Sequence, residues 1–159
     1  MTLRAKAAIV GIAELPTLRT YPGRTTLSLC AEAAGVAIAD AGLRKEDVDG
    51  LVTRGSDVGP MDMAEYMGLR LGFCEGLTQH GASGAQSVAV AASAVHAGLA
   101  DTVICILGGT RDPDVGGADP GRTRGLPPAS KITEFEVPFG LAPGANTGYG
   151  LMKQRHMYE

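Results

Sequence analysis

The sequence predicts an α/β protein built around a mostly parallel sheet. Two observations carry this. Strand-length apolar runs alternate with longer segments whose apolar residues recur every three or four positions, in the order β-α-β-α-β-α-β. The core-forming side chains are also small. Of 159 residues 45% are hydrophobic but only 4% aromatic, so Ala, Val, Leu and Gly must let helices lie close against the sheet. With only 19% charged residues the chain is globular rather than disordered.

The elements follow in order. AAIVGIAEL (7–15) is a continuous apolar run closed by Pro16, which reads as a buried strand. TTLSLCAEAAGVAIADAGL is a helix capped by Thr25 or Thr26 and stopped by Gly42. Leu27, Cys30, Ala34, Ile38 and Ala41 form its apolar face. VDGLVTRG (48–55) is a short strand. MDMAEYMGLRLGF is a second helix, with Asp62 as its cap. CEGLTQH is a strand, and GASGAQSVAVAASAVHAGLA is a third helix closed by Gly98. That helix is small and apolar around its whole circumference, which predicts burial on all sides. TVICILGG is a strand rich in β-branched residues.

Residues 1–108 therefore form the predicted α/β core. From 109 to 131 the chain is rich in Gly, Pro, Asp and Arg and reads as a long loop or lid. ANTGYGLMKQRHMYE begins a further helix with no stop signal, so residues 109–159 are expected to be an excursion followed by the start of an element in a longer protein.

A net charge of −3, with neither a basic stripe nor a set of stacking aromatics, argues against nucleic acid as a partner. The first apolar run is too short for a signal peptide or a membrane span, and Glu14 interrupts it. Cys30, Cys74 and Cys105 have no metal-type spacing and read as core thiols. An odd number of scattered cysteines suits a reducing compartment, and a cytoplasmic location is expected. No phosphate loop, dinucleotide fingerprint or zinc pattern occurs, so neither a cofactor nor a metal is expected.

The candidate site is the turn in LTQHGASGAQS. Gly81 to Ala85 read G-A-S-G-A, one residue away from the nucleophile elbow G-x-S-x-G. Ser83 as a hydrolytic nucleophile would need a later acid (Asp101, Asp112, Asp114 or Asp119) and then a histidine, and only His156 follows in that order. His80 comes too early and His96 falls within the predicted buried helix. The alternative is that Ser83 caps the helix by accepting an N–H two or three residues on. Either way, the backbone of Gly81, Ala82, Ser83 and Gly84 opens a helix, where N–H groups and the positive dipole end suit a thioester oxygen or an enolate.

These stretches resemble the thiolase superfamily. AAIVGIAEL followed by LSLCAEAAGVAIADAGLRKEDVDGLV resembles its N-terminal region. GASGAQSVAVAASAVHAGLADTVICILGGT resembles its nucleophile turn, buried central helix and next strand. The R-H-M-x-E ending of ANTGYGLMKQRHMYE resembles a landmark of its sterol-carrier and lipid-transfer branch. The resemblance spans essentially the whole chain and well under half of a complete thiolase. It implies a layered thiolase-like fold, here incomplete.

In that family the turn reads C-x-S/T-G. Laid on Ser83 and Gly84, the pattern puts Gly81 at the cysteine position, so no acyl-enzyme can form there. Lipid-transfer-protein-like aldolases of the superfamily carry glycine at this turn and cleave β-hydroxyacyl-CoA by a retro-aldol reaction. The resemblance therefore implies coenzyme A thioesters as substrates, a homodimer, and a small OB-fold protein as partner. That branch places its catalytic tyrosines outside the matched region, so Tyr21, Tyr66, Tyr149 and Tyr158 are not assigned their role. No catalytic residue is assigned, and the 159-residue chain on its own is expected to be inactive. Two alternatives remain: a non-catalytic acyl-CoA-binding or assembly subunit, and a serine hydrolase using Ser83.

Overall fold

A computed structural model describes residues 3–18, 20–55, 58–109 and 145–159. The chain divides into two compact units, Met1–Gly117 and Ala118–Glu159. In the first, α1 (Thr26–Asp40) leads through a 3-10 turn (Lys45–Asp47) to β1 (Gly50–Arg54). Then come α2 (Pro60–Met67), β2 (Phe73–Leu77), a second 3-10 turn (His80–Ala82), α3 (Ser83–His96) and β3 (Val103–Ile106). The three strands form a parallel sheet in the order β2-β1-β3, with Leu51 opposite both Cys74 and Ile104.

Side-chain alternation along the strands sorts the layers. Leu51, Ile104, Ile106 and Cys74 join Cys30 and Ala34 of α1 and Met63 of α2, together with Val58, in one apolar cluster. Val52 and Cys105 point the other way, and the Cys105 thiol donates to the Ser87 carbonyl of α3 at 3.5 Å. Helices α1 and α2 thus cover one face and α3 the other, the arrangement expected of an all-parallel sheet. The buried residues of α3 are Ser83, Ser87, Ala91 and Ala94, all small, as close approach to the sheet requires.

Local chemistry sets the ends of α1. The Thr25 side chain accepts the Ser28 N–H at 3.1 Å, and Gly42 takes the left-handed φ of 69° that ends the helix. Thr25→Ala is expected to lower stability by about 1 kcal/mol. Urea unfolding monitored by circular dichroism checks this; an unchanged midpoint would mean that the cap contributes nothing.

Three expectations are corrected. Residues 7–15 form no strand: Ile9, Val10 and Ile12 are 76%, 62% and 79% exposed. An apolar run predicts burial only if both of its sides are covered. Here one side rests on the end of α1, where the Ile12 N–H donates to Asp40 Oδ2 at 2.9 Å and a Cβ on Gly11 would meet the Ala37 carbonyl at 2.4 Å. The described sheet accordingly has three strands, not four.

Helix α2 starts at Pro60, not after Asp62, because proline is preorganised for the first helical position. Asp62 lies within the first turn, and the helix stops at Gly68, whose φ is 64°. Finally, α3 is not buried on all sides. Gly84, Ala85, Val88 and Ala89 are exposed, because the sheet covers only one side of the helix.

In the second unit, α4 (Ala145–Tyr158) is the helix expected there. Leu151, Met152, Met157 and Tyr158 are exposed on it, and Arg155 pairs with Glu159 at 2.6 Å. The expected loop at 109–131 lies, after Gly109, outside the described residues. Among the described residues no helix is long and apolar enough to cross a membrane.

Candidate functional site

In an open α/β sheet, ligands bind beyond the carboxyl ends of the strands, where neighbouring strands lead into helices on opposite faces. Here that place lies between β1 and β2. β1 leads into α2 on one face, and β2 leads through the 3-10 turn into α3 on the other. The strand ends are drawn together where the Gly55 N–H donates to the Leu77 carbonyl at 3.0 Å. On the β1 side, the buried Thr53 hydroxyl donates to the Val58 carbonyl at 3.0 Å, which fixes the approach to α2.

The turn predicted from the sequence stands at this crevice. Its four residues divide into two kinds. Gly81, Ala82 and Gly84 are exposed, whereas Ser83 is 2% exposed. Ser83 Oγ accepts the Gln79 N–H at 3.0 Å, four residues upstream. The expected cap, with Ser83 accepting an N–H further along, is therefore corrected. Ser83 is the first helical residue, and the N-cap is Ala82, which has no side-chain acceptor to offer. The hydroxyl closes the turn from inside, and the opening N–H groups of α3 lack a side-chain cap at that position. The Ala82 N–H donates to the Gln79 carbonyl at 3.0 Å, and Ser87 Oγ donates to the Gly84 carbonyl at 2.7 Å.

This geometry disfavours Ser83 as a nucleophile. Its oxygen is buried, and His96 lies at the far end of α3, about 20 Å away along the helix at 1.5 Å per residue. His156 lies on α4, in the second unit. Of the possible acids, Asp101 lies just before the amino end of β3, at the other end of the strands from the turn; Asp112, Asp114 and Asp119 lie outside the described residues.

The cysteines behave as packed thiols. Cys30 is buried in the apolar cluster. Burial, and then the neighbouring Glu75, push the Cys74 thiol up. Burial raises that of Cys105, and the Ser87 side chain offsets only part of the rise. A raised pKa keeps the thiol protonated and unreactive. Among the described residues, no group of three His, Cys, Asp or Glu is placed to hold a metal ion.

One residue of interest was not singled out from the sequence. Arg54, a half-buried cation, ends β1 at the crevice. A charged residue closing an otherwise buried strand was the available signal.

No family model matches the chain. A steroid side-chain-cleaving aldolase of Thermomonospora curvata is 34% identical over 161 residues, covering 99% of this chain and 41% of that protein. The chain is similar to a steroid side-chain aldolase. A 17-hydroxy-3-oxo-4-pregnene-20-carboxyl-CoA lyase of Mycobacterium tuberculosis is 39% identical over 104 residues, which is 64% of this chain and 27% of the lyase. Among solved structures, an Ltp2-ChsH2(DUF35) aldolase matches with a TM-score of 0.70 at 28% identity. The match covers 95% of this chain and 37% of the aldolase chain. The chain thus spans about two-fifths of the length of the first of these relatives.

Proposed function

We propose that this chain is the N-terminal part of a thiolase-like retro-aldolase that cleaves β-hydroxyacyl-CoA thioesters of the steroid or lipid side-chain type. The similarity to a steroid side-chain-cleaving aldolase along 99% of the chain carries the reading, and glycine at position 81 agrees with it. In a retro-aldol step a base takes the β-hydroxyl proton and the oxygen becomes a ketone. That carbonyl forms only as the Cα–Cβ bond breaks in the same step, and the electron pair of the broken bond forms the thioester enolate, which is protonated at Cα. The enolate oxygen needs fixed donors rather than a thiol. The turn of Gly81, Ala82, Ser83 and Gly84 contributes backbone donors and room beside the thioester, with the Ala82 N–H held by the Gln79 carbonyl and so excluded from that role, and the base comes from outside this chain. The full enzyme has the layered thiolase-like fold, uses no cofactor besides its coenzyme A thioester substrate, forms a dimer and works with a small OB-fold partner in the cytoplasm.

The 159-residue chain alone is expected to bind a β-hydroxyacyl-CoA without turning it over. Replacing the matching two-fifths of the Thermomonospora curvata aldolase with this chain is expected to give a chimera that releases ketone and shortened acyl-CoA, followed by liquid chromatography and mass spectrometry. A folded chimera that binds the thioester but never cleaves it would instead support the non-catalytic binding subunit. Turnover by the isolated chain would show that the base lies within it.

A further inference from the structure

Among the described strands, two residues are charged: Arg54 in β1 and Glu75 in β2. Glu75 is exposed, whereas Arg54 is half-buried and its Nε lies out of solvent. Alternation puts Arg54 on the face of Val52, the face that α3 covers. Glu75, opposite Val52, shares that face but stands two residues nearer the amino end. β1 is the central strand, so Arg54 lies between the carboxyl ends of β2 and β3. Its register partner in β2 is Leu77, which is half-buried. On the other side the residue after β3 is Leu107, 42% exposed, which reaches the first turn of α3: a Cβ on Gly84 would meet it at 3.9 Å. The Arg54 carbonyl accepts the Val58 N–H at 3.2 Å, and the next residue, Gly55, is tied across to Leu77, so the backbone on both sides of the crevice fixes where this side chain starts. A cation thus stands in an apolar wall at the place where β1 and β2 lead apart.

We infer that Arg54 is a specificity-determining residue, which selects thioesters whose acyl group carries a free carboxylate. The inference rests on the acyl-CoA reading above. An acyl group seated in the crevice against Leu77 and Leu107 takes the remaining water from the guanidinium. A purely apolar acyl group gives nothing in return, and removing solvent from a charge without supplying an opposite one costs binding energy. A carboxylate returns two parallel charge-assisted hydrogen bonds in the plane that a guanidinium presents. The five N–H donors of an arginine serve more than one acceptor, so a ligand carboxylate adds to whatever the group already holds. Leu77 and Leu107 then line the acyl chain, and Arg54 meets its charged end.

The test compares binding of 3-hydroxyadipyl-CoA and 3-hydroxyhexanoyl-CoA by calorimetry, to the wild-type chain and to Arg54→Gln and Arg54→Lys. The two thioesters have the same chain length and differ in the terminal carboxylate. Wild type is expected to prefer the dicarboxylic thioester by about tenfold. Glutamine is expected to abolish that preference, with lysine intermediate because it offers a point charge rather than a planar fork, and with binding of the hexanoyl thioester changed less than about threefold. Equal binding of both thioesters to wild type overturns the inference but leaves the acyl-CoA reading standing. Equal weakening of both by Arg54→Gln places the guanidinium on the coenzyme A phosphates and also overturns it. Binding of neither thioester to wild type removes both readings.

A neutral ligand gives an independent reading on the wild-type chain, should the glutamine variant fold poorly. The terminal methyl ester of 3-hydroxyadipyl-CoA keeps both oxygens but not the charge. It is expected to bind like the hexanoyl thioester. An ester that binds as tightly as the free acid overturns the inference, because size rather than charge would then set the preference.

Discussion

Met63→Ala is expected to lower the stability of the chain by about 3 kcal/mol, within the range for large-to-small changes in a closed core. Met63 has no exposed surface and belongs to the cluster of Cys30, Ala34, Leu51, Val58 and Ile106, which draws on α1, α2 and two strands. Helix α2 has only eight residues, too few to be stable alone, and tertiary packing must hold it. Truncation removes three heavy atoms from a site whose neighbours are fixed by strand register, so little of the cavity can collapse. The neighbouring Met61 is 71% exposed and serves as the control, with a change within about 0.5 kcal/mol for Met61→Ala. Urea unfolding should show a lower midpoint for Met63→Ala at an unchanged slope. A loss below about 1 kcal/mol would mean that α2 is not seated as described. Because α2 borders the crevice, the same variant is expected to weaken acyl-CoA binding in proportion to its unfolded fraction and no further.

The parts legible in the sequence are those set by local chemistry. Thr25 and Gly42 mark both ends of α1, Gly98 closes α3, and the β-branched run at 103–106 can be little but a strand. Features that depend on distant partners were not legible. Residues 7–15 have the composition of an inner strand, but composition does not say whether a neighbouring strand pairs with them. The circumference of α3 is apolar, but the sequence does not say how much of it the sheet covers. The turn itself was legible as a turn, since glycines and a serine precede an unbroken helical run. The division of labour within it was not. Ser83 turns inward because the Gln79 N–H needs an acceptor, and the openness of Gly81 depends on neighbours many residues away.

Asp49 acts entirely through such distant contacts, and its removal is the second large effect expected. The Asp49 carboxylate accepts the Asp101 N–H at 3.0 Å and the Thr102 N–H at 2.8 Å, and its main-chain carbonyl accepts the Gly72 N–H at 2.8 Å. One residue thus ties the amino ends of β1, β2 and β3 together. Asp49→Ala leaves two backbone donors without their charged acceptor and is expected to lower stability by about 2–3 kcal/mol. Asp49→Asn keeps one acceptor oxygen and should lose roughly half as much.

The pH dependence follows from the direction of the carboxyl shift. Burial pushes the Asp49 pKa up, but the N–H groups of Asp101 and Thr102 outweigh it and hold the group below its ordinary value. The unfolded chain then binds more protons than the folded one in the acid range, so the contribution of Asp49 is complete above about pH 4, the ordinary carboxyl value, and falls away as pH drops through the lower folded value. The stability gap between wild type and Asp49→Asn should therefore narrow between pH 5 and pH 3, read from urea midpoints at each pH. A gap that stays constant would place the loss in packing rather than in charge. Because this clamp holds the amino ends of the strands while Gly81 stands beyond their carboxyl ends, Asp49→Asn is expected to bind acyl-CoA like wild type at pH 7. The clamp and the site are then separable by experiment, at opposite ends of one sheet.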